Sequence, residues 1–362
     1  MSEKIPKDHD VSLAEGDAPG TGRAASGQER VTSVRELAAS GDPLFDEGFP
    51  VAPLTIVLIV IYHLAATTVT HFHKVAGAGA IVFGLVLFHR PLGRLLNRYL
   101  VESWRVLNRE AAETRALAGE GPGTFDYRVL VVLGVAAVML TMMEYFGGRN
   151  TYHAFVSRHW PVFTKHHYYN LSQFIYWSLF RVVTYVLIPW VVVLFMPGER
   201  IRDYGMSPKG VFSHLWIYGV LYAIIAPVLV MVSFTRPFQR TYPFYKLAPR
   251  SWLDFGIWEA FYSVQFFALE VFFRGFMIHP LKRALGSYAI FVMAVPYCMI
   301  HYNKPLAEVL GAILAGTILG TLSLRTRSIW CGVLIHVSVA LSMDILSLVQ
   351  TAGWPGNPRW IG

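Results

Sequence analysis

Three short stretches of the chain carry residues able to do hydrolytic chemistry in an apolar setting. "FALEVFFRGFMIHP", residues 267–280, sets Glu270 and Arg274 four positions apart among phenylalanines. "YCMIHYNKPLAEV", residues 297–309, ends one apolar run with His301 and opens another with Glu308. "IWCGVLIHVSVALSMDIL", residues 329–346, holds His336 well inside a further run, with Asp344 beyond it. An ionisable side chain at bilayer depth costs roughly 2.5–3.5 kcal/mol on insertion scales, so each needs a reason. Glu270 and Arg274 share a helix face and can neutralise each other, which lets a charged helix insert. Two histidines with a carboxylate can do more. Such a set can activate water directly or hold a metal that does so.

The elements that must position these groups read as membrane helices. Of 362 residues, 54% are hydrophobic and 15% charged, against about 25% charged in soluble domains. Apolar runs near 51–70, 75–88, 127–146, 171–196, 212–234, 255–278, 288–301, 305–324 and 329–349 predict an all-α, polytopic membrane protein of about eight or nine transmembrane helices. The formal charge of +8 belongs mostly to connecting loops, as expected of a membrane protein, and makes no case for nucleic acid. Residues 1–48 read as a disordered polar tail without a secretory signal peptide. Residues 49–250 hold the N-terminal spans and an interfacial amphipathic helix near 91–110. There Leu92, Leu95, Leu96, Tyr99 and Leu100 recur at helical spacing with Arg94, Arg98, Arg105 and Arg109 between them. Residues 251–352 carry nearly all the intramembrane ionisable groups, and 353–362 form a C-terminal tail.

The basic loop over 90–115 shares a side with Arg200, Arg202 and Lys209, with Lys282 and Arg283, and with Arg325 and Arg327. That side is expected to be cytoplasmic, with the N-terminus, in the cytoplasmic membrane; the loop holding Arg236, Arg240, Lys246 and Arg250 then faces out. Cys298 and Cys331 lie inside apolar runs and imply no disulfide framework. Ala312, Gly316 and Gly320 repeat at four-residue spacing, which lets helices pack closely. Glu259 either extends a polar stripe toward Glu270 or sits at the interface, and Arg181 needs a carboxylate or a cavity. Glu308 falls in the first turn of its helix, where a negative charge is favoured. His159, His166 and His167 read as solvated loop residues, because their spacing fits no standard metal site.

In order and spacing, the three stretches resemble the CAAX protease and bacteriocin-processing family of intramembrane proteases. That family shows E-E-x-x-x-R, F-x-x-x-H and H-x-x-x-N on membrane helices. "LEVFFRG" matches the first at Glu270 and Arg274, "YCMIH" the second with Tyr297 for phenylalanine, and "HVSVA" the third at His336 alone. The likeness covers about residues 253–350. It implies that the first glutamate and the second-motif histidine activate water, and that the last-motif histidine and asparagine steady the oxyanion. The second glutamate pairs with the arginine. Here Leu269 stands at the first glutamate and Ala340 at the asparagine.

The resemblance therefore implies a peptidase acting on a protein or peptide with a C-terminal or leader segment at the membrane. Glu270, His301 and His336 are its catalytic candidates, Glu308 a further carboxylate, and Arg274 a positioning group. No cofactor is expected; a zinc form would use Glu270, His301 and His336. The departures at Leu269 and Ala340 leave three readings: Glu270 is the base, Glu308 supplies it, or the fold has become a non-catalytic membrane binder or scaffold. On the expected span boundaries, Glu270 and His301 also fall at different depths, which tilt or the bend at Pro296 must correct.

Overall fold

The computed structural model describes residues 51–120, 124–208 and 211–358. The expected disordered tail over 1–48 and the last four residues lie outside them. The helices run in order as α1 (Pro53–Phe72), α2 (Lys74–Leu87), α3 (His89–Leu117), α4 (Tyr127–Phe146), α5 (Arg149–His159), α6 (Tyr169–Phe195), α7 (Val211–Ser233), α8 (Arg236–Thr241), α9 (Trp252–Leu285), α10 (Tyr288–Met299), α11 (Leu306–Thr326) and α12 (Trp330–Thr351). A two-residue antiparallel ladder, β1 (Gly353–Trp354) with β2 (Asn357–Pro358), ends the described residues.

Among the described residues seven helices are long and apolar enough to cross a membrane, or eight if α2 and α3, bent by 67° at their junction, make one span. The all-helical membrane class expected from the sequence holds, and nine spans is one too many. The difference lies at α10, whose 12 residues are too few to cross.

α9 is longer than its apolar run suggests. Ser251 caps it by accepting from Asp254 N at 3.0 Å, and Arg250 and Tyr245 bind the Asp254 carboxylate. The helix then continues past Ile278, through Lys282 and Arg283, to Gly286 at φ +56°. This extension narrows the expected depth mismatch: at 1.5 Å per residue, Glu270 stands about 22 Å from the Leu285 end, while α10 runs about 16 Å from Tyr288 to Met299 with His301 in the turn just beyond.

α3 packs against the C-terminal part of α9 and against α11. Leu107 is buried there, Trp104 Nε1 donates to Thr321 Oγ1 at 2.9 Å, and Asn108 Oδ1 accepts from Ser287 N at 2.7 Å. Lys282 pairs with Glu110 and Arg283 with Glu120. The amphipathic helix expected near 91–110 is thus part of a longer helix with one face docked on protein. Its neighbours include the 286–287 turn, and Ser328 Oγ bonds to Ser207 O in the loops nearby. At the other end Arg250 meets His167, and Tyr242 meets Glu308.

The small residues of α11 face α10. A side chain added at Gly316 would press on the Tyr297 ring, and one at Gly320 on Ile278, Ile290 and Met293. α9 and α12 run antiparallel, since Glu270 meets His336 while Trp258 meets Asp344. Asn108 joins α3 to the α9–α10 turn through a buried backbone N–H. Asn108→Ala is expected to cost about 1 kcal/mol, as loss of a helix cap does, read as a lower unfolding temperature in detergent with Ser287→Ala, which keeps that N–H, as the control.

Candidate active site

Glu270 ends the regular first part of α9, and residues Val271–Met277 form a π-helical segment that carries Arg274. Such wide turns recur at functional sites because they re-aim side chains without ending the helix. Glu270 and Arg274 are both 0% exposed, and Arg274 Nη1 lies 3.2 Å from Glu270 Oε1. The guanidinium also lies over the Tyr297 ring, 4.1 Å from its centroid.

His336 comes to the same carboxylate from α12. Its Nδ1 lies 2.7 Å from Glu270 Oε1, and its Nε2 lies 2.9 Å from Tyr297 Oη. The imidazole stacks on Phe266, one turn before Glu270, with ring centroids 5.6 Å apart. One turn before His336 stands Gly332, where an added Cβ would overlap Glu270 Oε2. Glycine at 332 therefore lets the carboxylate lie against the α12 backbone.

His301 follows the end of α10. Its Nδ1 lies 2.8 Å from the carbonyl of Tyr297, one turn earlier, and the two rings are 4.9 Å apart. A carbonyl can only accept, so Nδ1 carries the hydrogen and the neutral ring presents its lone pair at Nε2. Tyr297 thus touches all three other groups: Arg274 with its ring, His336 with its hydroxyl, and His301 with its carbonyl.

The structure brings Glu270, Arg274, His301 and His336 around this one tyrosine, and leaves Glu308 in a neighbouring cluster. Tyr242 Oη donates to Glu308 Oε2 at 2.5 Å and Lys304 Nζ to Oε1 at 2.5 Å. Each carboxylate oxygen of Glu308 thus has a partner outside the Glu270 centre. Leu269 is buried in the hydrophobic core. Ala340 is buried beside Trp258 and Tyr262.

The zinc ligand set considered from sequence is not assembled. Among the described residues no three His, Cys, Asp or Glu side chains converge as metal ligands, and both His336 nitrogens already have partners. The Arg181 partner is an amide: its Nη1 donates to Gln265 Oε1 at 2.7 Å, and it lies over the Trp177 and Tyr185 rings. Glu259 extends no stripe to Glu270: its carboxyl lies against that of Asp344, in a polar centre of its own. Trp258 Nε1 donates to the other Asp344 oxygen at 2.7 Å. Outside the membrane helices, burial holds the Lys246 ammonium below its ordinary value, partly offset by the Asp344 charge.

Sequence reasoning passed over Tyr297 and Gly332 as participants. Their signal was position: each lies four residues before a site histidine, on the same helix face.

Residues 240–342 match the family model described as Rce1-like, type II CAAX prenyl endopeptidase Rce1-like. These residues form an Rce1-like domain. No curated protein and no solved structure matches the chain. The Rce1-like domain takes in the loop before α9, with Tyr242 and Lys246, and every residue of the site. Membership implies the fold of an intramembrane protease family, on which the geometry above is superimposed.

Two outcomes follow from the buried pair. Arg274→Met leaves Glu270 without its cation and is expected to destabilise by about 3–5 kcal/mol, with Glu270→Gln/Arg274→Met recovering part of the loss; a double-mutant cycle of unfolding in detergent measures both. Gly332→Ala forces the carboxylate off α12 and is expected to cost about 1–3 kcal/mol, the usual range for overpacking, read in the same assay.

Proposed function

We propose that the protein is an intramembrane peptidase that hydrolyses a peptide bond of a protein or peptide substrate near the membrane. The observation that carries this reading is the convergence of Glu270, Arg274, His336 and His301 on Tyr297. His301 Nε2, with its tautomer set by the Tyr297 carbonyl, takes a proton from water as that water attacks the substrate carbonyl. A tetrahedral oxyanion forms, and the same imidazole returns the proton to the leaving amine. His336 serves the oxyanion through its Nε2 contact. Exposure supports this division of labour: the His336 side chain is 14% exposed, whereas Glu270 is 0% exposed and lies behind it. Glu270 then works through His336 as a positioning residue, held by Arg274. Glu308 holds Lys304 and Tyr242 at the rim instead of acting as the base.

The N-terminus and the basic loops beside α3 are assigned to the cytoplasmic side of the cytoplasmic membrane, where anionic lipid favours them. The family's name makes prenylated C-terminal tail peptides the first substrates to try, with leader peptides and C-terminal sorting anchors next. The test compares purified wild type with Glu270→Gln, His301→Ala, His336→Ala and Glu308→Gln on such peptides. His301→Ala is expected to lose about 10²–10⁴-fold in turnover, the range of a general base, and Glu308→Gln the least of the four. Unaltered cleavage in all four variants would sink the peptidase reading. It would leave the second reading, favoured by Leu269 and Ala340, of a non-catalytic binder on the same fold.

A further inference from the structure

His336 has no nitrogen left to offer a substrate. Nδ1 faces Glu270 Oε1 at 2.7 Å, and a carboxylate there accepts only. Nε2 faces Tyr297 Oη at 2.9 Å. The other end of this chain of contacts is the tyrosine hydroxyl, which can donate one hydrogen and accept another. One turn further along the same face of α12 stands Ala340, which lies among Trp258 and Tyr262 and offers no polar side chain.

We infer that the Tyr297 hydroxyl is itself the catalytic donor to the oxyanion, and that His336 acts through it. This rests on the peptidase reading above and names a group that reading did not use. When both His336 nitrogens carry protons, Nδ1–H lies against the Glu270 carboxylate and Nε2–H donates to Tyr297 Oη. The phenol hydrogen is then free to point at the oxygen on which charge develops. Each donated hydrogen bond polarises the next, so the charge on the imidazole strengthens the phenol as a donor. Arg274, 4.1 Å from the ring centroid, adds positive charge on the same side. No proton leaves the phenol and no bond to it forms. The ring packs against Gly316 and the His301 ring.

Tyr297→Phe tests this cleanly. It keeps the ring over Arg274 and the carbonyl that orients His301, and removes one oxygen. On a peptide the wild type cleaves, kcat is expected to fall by about 10²–10³-fold, the effect of losing one oxyanion donor, with KM little changed. Because His336 acts in series with the hydroxyl, Tyr297→Phe/His336→Ala should be no slower than the slower single variant. A fluorinated tyrosine at 297, which keeps ring and hydroxyl and donates more strongly, should restore turnover. If Tyr297→Phe turns over within about threefold of wild type, or if the two losses multiply, the inference is overturned while proteolysis stands. If Glu270→Gln and His301→Ala also cleave like wild type, the peptidase reading itself falls and the inference falls with it.

Discussion

The structure around the site is organised by one costly object, the ion pair of Glu270 and Arg274 at 0% exposure. Taking two charges out of water costs several kcal/mol per ion, and mutual attraction repays it only with good geometry and further partners. The partners come from two other helices. Tyr297 on α10 offers its ring face to the guanidinium, His336 on α12 sets its Nδ1 2.7 Å from the carboxylate, and Gly332 gives that carboxylate room. α11 enters indirectly, since Gly316 lets it close on the Tyr297 ring. A pair that first looks like a device for inserting a charged helix is also what draws α9, α10 and α12 into one register.

Depth is set by unequal helix lengths. α9 runs for 34 residues and carries Glu270 near its middle, whereas α10 stops after 12. The short helix ends inside the protein, and the turn after it leaves His301 against the Tyr297 ring. The opposite end of the same hairpin is held by α3, which caps the turn with Asn108 and pairs with Lys282 and Arg283. The N-terminal half therefore does more than fill the membrane: one of its helices steadies the hairpin that positions the site.

The α9–α12 interface carries two polar centres. Glu270 with His336 is one, and Glu259 with Asp344 and Trp258 is the other. Phe266, Tyr262 and Ala340 form the apolar layer between them. A polar contact on each side of that layer specifies the antiparallel register, because a shift of one turn would break both and leave buried polar groups without partners.

The helical membrane class was legible in the sequence because apolar runs of bilayer length admit almost no other structure, every backbone group having to be satisfied within the segment. The site histidines and the Glu–Arg pair were legible for a related reason: charge in an apolar run is expensive enough to mark itself. The small-residue stripe on α11 was legible too, through its spacing. Partners were another matter. Nothing local joins Arg181 to Gln265, Glu308 to Tyr242, or Glu259 to Asp344, since each contact crosses between elements far apart in the chain. The end of α9 was misjudged because Lys282 and Arg283 look like a loop until Glu110 and Glu120 are set beside them. Tyr297 hid as a substitution in a motif. Its hydroxyl gained meaning only when packing set it against His336, for hydrogen bonding depends on distances of a few tenths of an ångström that spacing along a helix cannot specify.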